Sequence, residues 1–181
     1  MVYYKYMIFI FIISLFLLIY FIFFISQFVN IIFKGNAPFI STDSETIEII
    51  LHGLKLKKQP IVYELGCGRA RFLKICEKYF PDASLVGIEN LASLYFINKL
   101  TLKLQGSKIN LLNKDFFAVR LENADLIYCY LNNATMFKLG EKFRNECQAG
   151  TLIISRRFPI PQLKPEKMII IKNKKIFFYK I

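Results

Sequence analysis

The sequence predicts an α/β protein: a doubly wound, mostly parallel sheet with a C-terminal antiparallel hairpin, preceded by one transmembrane helix. Three observations lead there. An uncharged run of 28 residues, Tyr6 to Phe33, opens the chain. Behind it, short apolar strand patterns alternate four times with helical patterns, the order of a parallel sheet with helices on both faces. The final stretch "KMIIIKNKKIFFYKI" holds two strand patterns around "KNKK" with no helix before them, which reads as an antiparallel hairpin.

The uncharged run is bracketed by Lys5 and Lys34. As a helix it would be roughly 42 Å long against about 30 Å of hydrocarbon, enough to cross a bilayer with some tilt. A cleavable signal would have a shorter apolar region and a small-residue cleavage site, and neither is present. Residues 1–33 are therefore expected to be a single-pass membrane anchor. Lys5 and the α-amino group stand on one side of it, and Lys34, Lys55, Lys57 and Lys58 on the other, which places the rest of the chain in the cytoplasm or an equivalent reducing compartment.

After the anchor, "KGNAPFISTDSET" is a polar link. Ser44 is in position to cap a helix over Glu45 to Leu56, where Ile47, Ile50, Leu51 and Leu54 recur at helical spacing and Pro60 ends the segment. Residues 34–58 thus form a linker and a covering helix, and 59–181 the α/β domain. That domain reads in order as strand "IVYEL", a glycine turn, helix "RFLKICEKYF", strand "SLVGIE", helix "LASLYFINKLTLKLQ", strand "INLLN", strand "DLIYCYL", helix "ATMFKLGEKFRNEC", strand "GTLIISRRF" and the hairpin.

Composition removes several classes of chemistry. His52 is the lone histidine, so a histidine metal site or a Ser-His-Asp triad lacks parts, and no metal is expected. Cys67, Cys76, Cys129 and Cys147 show no CxxC or zinc spacing and suit a reducing compartment. The net charge is +12, or +11 once Lys5 is set aside with the anchor. It would draw the domain toward an anionic membrane surface. The lysines form no dense tract, and no nucleic-acid partner is expected.

The stretch "VYELGCGRARF", Val62 to Phe72, carries the chemistry. In an open parallel sheet the ligand crosses the C-terminal ends of the strands. A glycine turn after the first strand lets the backbone approach it closely. Glu89, ending the second strand, lies 23 residues past Gly66, a spacing that suits a carboxylate accepting from both hydroxyls of a ribose. Two cofactor classes share this Rossmann-like geometry. A dinucleotide turn wants a third glycine where Arg71 stands. S-adenosyl-L-methionine, with an amino group and a sulfonium but no phosphate, suits the acid Glu64 two residues before the first glycine.

"VYELGCGRA" followed by "LVGIEN" resembles the first two motifs of the seven-strand, class I S-adenosylmethionine-dependent methyltransferases, and the likeness covers nearly everything after the anchor. "NAPFIST" and "SRRFPIP", with the anchor, resemble more narrowly the membrane-anchored protein-lysine methyltransferases of the ATP synthase c-subunit and the adenine nucleotide translocase, and their prokaryotic relatives. The resemblance implies that residues 59–181 are an S-adenosylmethionine-binding methyltransferase domain. Glu64, Gly66, Cys67 and Gly68 would line the methionine end, Glu89 would take the ribose with Asn90 beside it, and Asp115 and Phe116 would contact the adenine. Pro38, Phe39 and Thr42 would fold over the cofactor. The chain departs from the family at Arg69 and Ala70, where an acid and a glycine are common, and at Leu163, where a tryptophan is.

On this reading Tyr130 lines an acceptor channel and Asn132 accepts a hydrogen bond from the acceptor amine, both in "YCYLNN" after the fourth strand. Arg156 and Arg157 end the fifth strand near that mouth and would meet an acidic substrate, lipid head groups or water. Three functions compete. The first is protein-lysine methylation of a membrane-associated protein. The second is methylation of a lipid, quinone-like small molecule or RNA; for adenine in RNA, the usual polar-polar-aromatic tetrad is missing from "YLNNAT". The third is a non-catalytic, membrane-bound assembly factor that keeps the cofactor fold.

Overall fold

The computed structural model describes residues 2–34 and 41–181. Pro38 and Phe39 lie outside the described residues. The chain forms two units, one within residues 1–38 and one within 39–181.

The first unit is helix α1, Val2–Lys34. Its Tyr3–Ser26 portion, 24 residues, is long and apolar enough to cross a membrane. Ser14 Oγ donates to the Phe11 carbonyl at 2.9 Å and Ser26 Oγ to that of Phe23 at 2.8 Å. These hydroxyls are satisfied within the helix.

The second unit is a seven-stranded sheet in the order β3-β2-β1-β4-β5-β7-β6. β1 is Ile61–Leu65, β2 Ser84–Ile88, β3 Asn110–Leu112, β4 Leu126–Cys129, β5 Leu152–Arg156, β6 Lys167–Ile171 and β7 Lys174–Lys180. The first five pair in parallel, and β7 runs antiparallel to both neighbours. The terminal hairpin is present, but its second strand, not its first, docks on β5. β7 carries Ile176, Phe177 and Tyr179 into the core, whereas β6 exposes Met168 and Ile170 and takes the edge.

Helices α2 (Ser44–His52), α3 (Arg71–Tyr79) and α4 (Ala92–Leu104) precede β1, β2 and β3 in turn, and α5 (Asn133–Glu146) joins β4 to β5. Right-handed crossovers that step outward from β1 put α3 and α4 on one face, and the reverse step puts α5 on the other. Two apolar layers result. One packs Ile47, Ile50 and Leu51 of α2 and Phe72, Leu73 and Cys76 of α3 on Val62, Leu85 and Tyr128. The other packs Met136, Leu139 and Phe143 of α5 on Leu65, Ile127 and Ile153. Phe72 stacks on Tyr128 with ring centres 4.0 Å apart.

α2 differs from expectation at both ends. Its cap is Asp43, one residue before Ser44: Asp43 accepts the Thr46 N–H at 3.1 Å and the Thr46 hydroxyl at 2.9 Å. Gly53 closes the helix after His52, so Leu54 leaves it yet still packs on the core. Tertiary partners of Asp43, Arg156 Nη2 at 3.0 Å and Lys172 Nζ at 3.2 Å, fix the choice of cap.

The cysteines are free, and three of them, Cys67, Cys76 and Cys129, are buried. Burial pushes the Cys76 and Cys129 thiols up to about 12. Gly87 in β2 is held by packing. A Cβ there would stand 2.7 Å from Leu111 Cδ2, 3.0 Å from Cys67 Sγ and 3.1 Å from Leu73 Cδ1. Gly87→Ala is expected to cost about 2 kcal/mol by overpacking, read as a fall of several degrees in thermal midpoint.

Candidate active site

Strand register gathers the site. Leu65 of β1 pairs with Ile88 of β2 and with Cys129 of β4. The next residues, Gly66, Glu89 and Tyr130, therefore leave the sheet at one edge, the C-terminal ends of the parallel strands. Gly66 and Gly68 have φ of +68° and +53°, and Ala70 takes the left-handed conformation at φ +50° to start α3. Ala70 thus holds, with a Cβ, a backbone state that favours glycine, at a local cost of about 1 kcal/mol. A Cβ on Gly66 would also stand 2.9 Å from Leu131 Cδ2.

The turn is pinned from three directions. Cys67 N–H donates to the Ile88 carbonyl at 2.9 Å. Gly68 N–H donates to Glu89 Oε2 at 2.9 Å, and Leu91 N–H to Glu89 Oε1 at 2.8 Å. Asn98 Nδ2 donates to the Gly68 carbonyl. Asn113 Nδ2 donates to the carbonyl of Glu89 at 2.8 Å and to that of exposed Asn90 at 3.2 Å.

The two acids differ. Glu89 is half-buried, its Oε2 accepting the Gly68 N–H and its Oε1 the Leu91 N–H. Burial raises its pKa, and hydrogen bonds from Leu91, Gly68 and its neighbour Asn90 oppose the rise. Glu64 is buried, and its carboxylate accepts one long bond, Leu73 N–H at 3.4 Å, from the first turn of α3. Burial drives its pKa well above the usual carboxylate range. The Leu73 N–H opposes this, and the Glu89 charge adds to it. Burial likewise drives the Cys67 thiol well up, with Glu64 and Glu89 adding to the rise.

The remaining predicted residues are placed as follows. Asp115 is exposed and accepts the Phe117 N–H at 2.9 Å, capping a short 3-10 turn. Phe116 is buried against the α5-side core, and the half-exposed ring beside it belongs to Phe117. Thr42 is buried, sharing a 2.7 Å hydrogen bond with the Tyr128 hydroxyl. Asn132 Oδ1 caps α5 by accepting Thr135 N–H at 2.8 Å.

Arg156 requires a correction. It is neither solvated nor at a surface: its side chain is buried, its guanidinium lies 4.9 Å from the centre of the Tyr130 ring, and Nη2 pairs with Asp43. Its Nε and Nη1, and the Tyr130 hydroxyl, are buried with no hydrogen-bond partner among the described residues. An arginine beside a strand-end arginine reads as surface in one dimension; β7 and the Asp43 segment cover it in three. Arg157 is exposed, as expected, over the Phe158 ring at 5.1 Å.

Two residues that hold the site were not singled out from the sequence. Asn98 fixes the glycine turn, and Asn113 fixes the backbone of Glu89 and Asn90. Asn98 had a signal: it interrupts the otherwise apolar stripe Leu94, Asn98, Leu102 on the buried side of α4. Asn98→Ala leaves the Gly68 carbonyl without its donor and is expected to cost about 2 kcal/mol, measurable in denaturant titrations.

Residues 64–167 match the family described as "ANTKMT methyltransferase domain". The chain belongs to the ANTKMT methyltransferase family. Among curated proteins, this family member is 24% identical over 140 residues to a protein-lysine N-methyltransferase of Saccharolobus islandicus, covering 76% of this chain and 87% of that one. It is 33% identical over 89 residues to a carboxy-S-adenosyl-L-methionine synthase of Campylobacter hominis, but covers 36% of that protein's length and 49% of its own. Among solved structures, an RNA methyltransferase of Salinibacter ruber in complex with S-adenosyl-L-homocysteine superposes with a TM-score of 0.73 at 19% identity, over 78% of this chain and 94% of that chain. A precorrin-6y C5,15-methyltransferase of Geobacter metallireducens superposes at 0.62 with 12% identity, over 80% and 92%. At such identities these structures establish the fold: an ANTKMT methyltransferase with the class I, seven-strand sheet. Its cofactor is S-adenosyl-L-methionine. Among the described residues no cluster of His, Cys, Asp or Glu is arranged to hold a metal ion.

Proposed function

We propose that the chain is a protein-lysine N-methyltransferase that acts on a membrane-associated protein. The observation that carries the acceptor class is the likeness to the Saccharolobus lysine methyltransferase along nearly that protein's whole length. Helix α1 supports a membrane setting. As a single-pass anchor, with the catalytic domain on the side of Lys34, it would concentrate the enzyme on targets in the same bilayer.

The residues present fit the cofactor. Glu64 is a buried carboxylate with one long hydrogen bond, the kind of group that a cationic ligand end completes. Glu89 stands at the strand edge as the acceptor for the ribose hydroxyls, with acceptor capacity left beyond its backbone N–H bonds. Gly66 keeps the approach clear of a Cβ, and Gly68 and Cys67 continue that wall. Asn90 stands beside Glu89. Asp115 and Phe116 follow the third strand, where the adenine would lie, and Pro38, Phe39 and Thr42 belong to the covering segment. When bound, S-adenosylmethionine supplies an electrophilic methyl group on sulfur.

The chain's task is alignment and deprotonation of the acceptor. An ordinary lysine amine has a pKa of about 10.4 and must be neutral to attack. Tyr130 offers an apolar ring that desolvates the amine, which favours the neutral form. The buried Arg156 guanidinium against that ring repels an ammonium and acts in the same direction. Asn132, at the head of α5, orients the amine N–H. Holding the amine in line at near-attack distance accounts for much of the acceleration.

The test is transfer of a labelled methyl group by the full-length protein into membranes, resolved into protein and lipid fractions, with hydrolysis of the protein to detect methyl-lysine. Label in methyl-lysine, absent with Glu89→Ala, supports the proposal. Label in lipid alone would transfer the assignment to a lipid methyltransferase, and no label in any fraction would leave a cofactor-binding assembly factor.

A further inference from the structure

We propose that α4 is a second membrane contact, laying its outward face on the bilayer that holds α1; this rests on reading α1 as a membrane anchor. α4 buries Leu94, Asn98 and Leu102, one stripe at four-residue spacing. The outward side of a surface helix ordinarily carries polar residues. Here it carries Phe96, Ile97, Leu100 and Leu104, which are 65%, 57%, 61% and 80% exposed. Phe96, Leu100 and Leu104 repeat the four-residue spacing, so α4 has an apolar stripe on each side and only one is covered.

Charge and connectivity identify what covers the other. Exposed Lys99 and Lys103 lie among the outward apolar side chains, and exposed Lys78 and Tyr79 end α3 on the same face of the sheet. Apolar side chains flanked by lysines are the pattern of a helix that lies in a membrane interface, its stripe among the acyl chains and its amines among anionic head groups. Residues 35–43 join α1 to α2 and extend at most about 30 Å. An anchored chain therefore keeps the start of the α/β unit near the lipid surface, which raises the effective concentration of its exposed faces there. A second copy of the chain, paired through the same stripe about a two-fold axis, would bring Lys99 and Lys103 toward their own counterparts, an arrangement that like charges oppose. Because Asn98 on the same helix holds the Gly68 carbonyl, the lipid-facing stripe and the cofactor turn are opposite sides of one helix.

The chain contains no tryptophan, so a single introduced one reports alone. The full-length Leu100→Trp protein would be reconstituted in phosphatidylcholine–phosphatidylserine vesicles with brominated acyl chains. Phe137→Trp, exposed on α5 at the opposite face of the sheet, is the control. Vesicle flotation reads the anchor separately. The expected result is that both proteins float, Leu100→Trp loses most of its emission to the brominated lipid, and Phe137→Trp keeps its own. Flotation with neither residue quenched overturns the α4 contact and leaves the anchor standing. A blue-shifted Leu100→Trp signal that ignores bromine and grows with protein concentration also overturns it, in favour of a second copy. Failure to float removes the anchor reading and the α4 contact together.

Discussion

Glu89→Ala is expected to lower S-adenosylmethionine affinity by at least about 100-fold, measured by calorimetry, and to abolish methyl transfer. Two losses combine. The ribose hydroxyls would lose a charged acceptor, worth about 1.5–3 kcal/mol per hydrogen bond. The Gly68 and Leu91 N–H groups would lose theirs as well, so the glycine turn and the start of α4 would no longer be held to the end of β2. About 3 kcal/mol suffices for a 100-fold change. Glu89→Gln separates the two effects. Its amide keeps one acceptor oxygen but turns an NH2 toward a backbone N–H, so it should bind almost as poorly as the alanine variant while unfolding closer to the parent. Unchanged affinity in both variants would remove Glu89 from the cofactor site.

Glu64→Gln is expected to weaken cofactor binding by about 10- to 100-fold while stabilising the cofactor-free protein. The neutral amide keeps the shape of the acid and removes a buried charge. The sign of the pH dependence follows from the raised pKa of Glu64, whose first cause is burial. A carboxyl whose folded pKa exceeds its unfolded value favours folding in its protonated form. That contribution is fully present below the unfolded value of about 4.3 and is lost as pH rises through the folded value. The parent should therefore lose stability with rising pH across this window, and Glu64→Gln should lack that loss. Cofactor binding should show the opposite slope. A cationic ligand selects ionised Glu64, so parent affinity should rise with pH over the same window and flatten in the variant. Melting curves and binding isotherms on both proteins, taken across that window, check the two slopes together. Parallel profiles for parent and variant would show that Glu64 does not meet the cation.

Much of the fold was written in local pattern. The apolar runs gave the parallel strands, and "GCG" behind an acid gave the turn that leaves the first of them, because alternation and glycine conformation act over a few residues. The order of the last two strands was not written locally. Both are apolar, and which one docks on β5 is decided by the long-range fit of Ile176, Phe177 and Tyr179 to the core. The positions of the two acids were equally legible, since strand ends and their spacing put Glu64 and Glu89 at one end of the sheet. Their environments were not. That Glu64 is nearly unpartnered, or that Asn132 spends its oxygen on a helix cap, depends on neighbours brought in by folding. Arg156 is the sharpest case: its burial arises from Asp43 and Tyr130, 113 and 26 positions away in the chain.

Asp43 accepts both Arg156 from the end of β5 and Lys172 from the bend between β6 and β7. The beginning and the finish of the α/β unit thus share a single buckle. Shortening the protein at its carboxyl terminus would slacken the stretch that leads into α2, far away along the polypeptide, and with it the Thr42 hydroxyl held against Tyr128. Truncations that remove the bend at Lys172 would be felt at the opposite end of the unit.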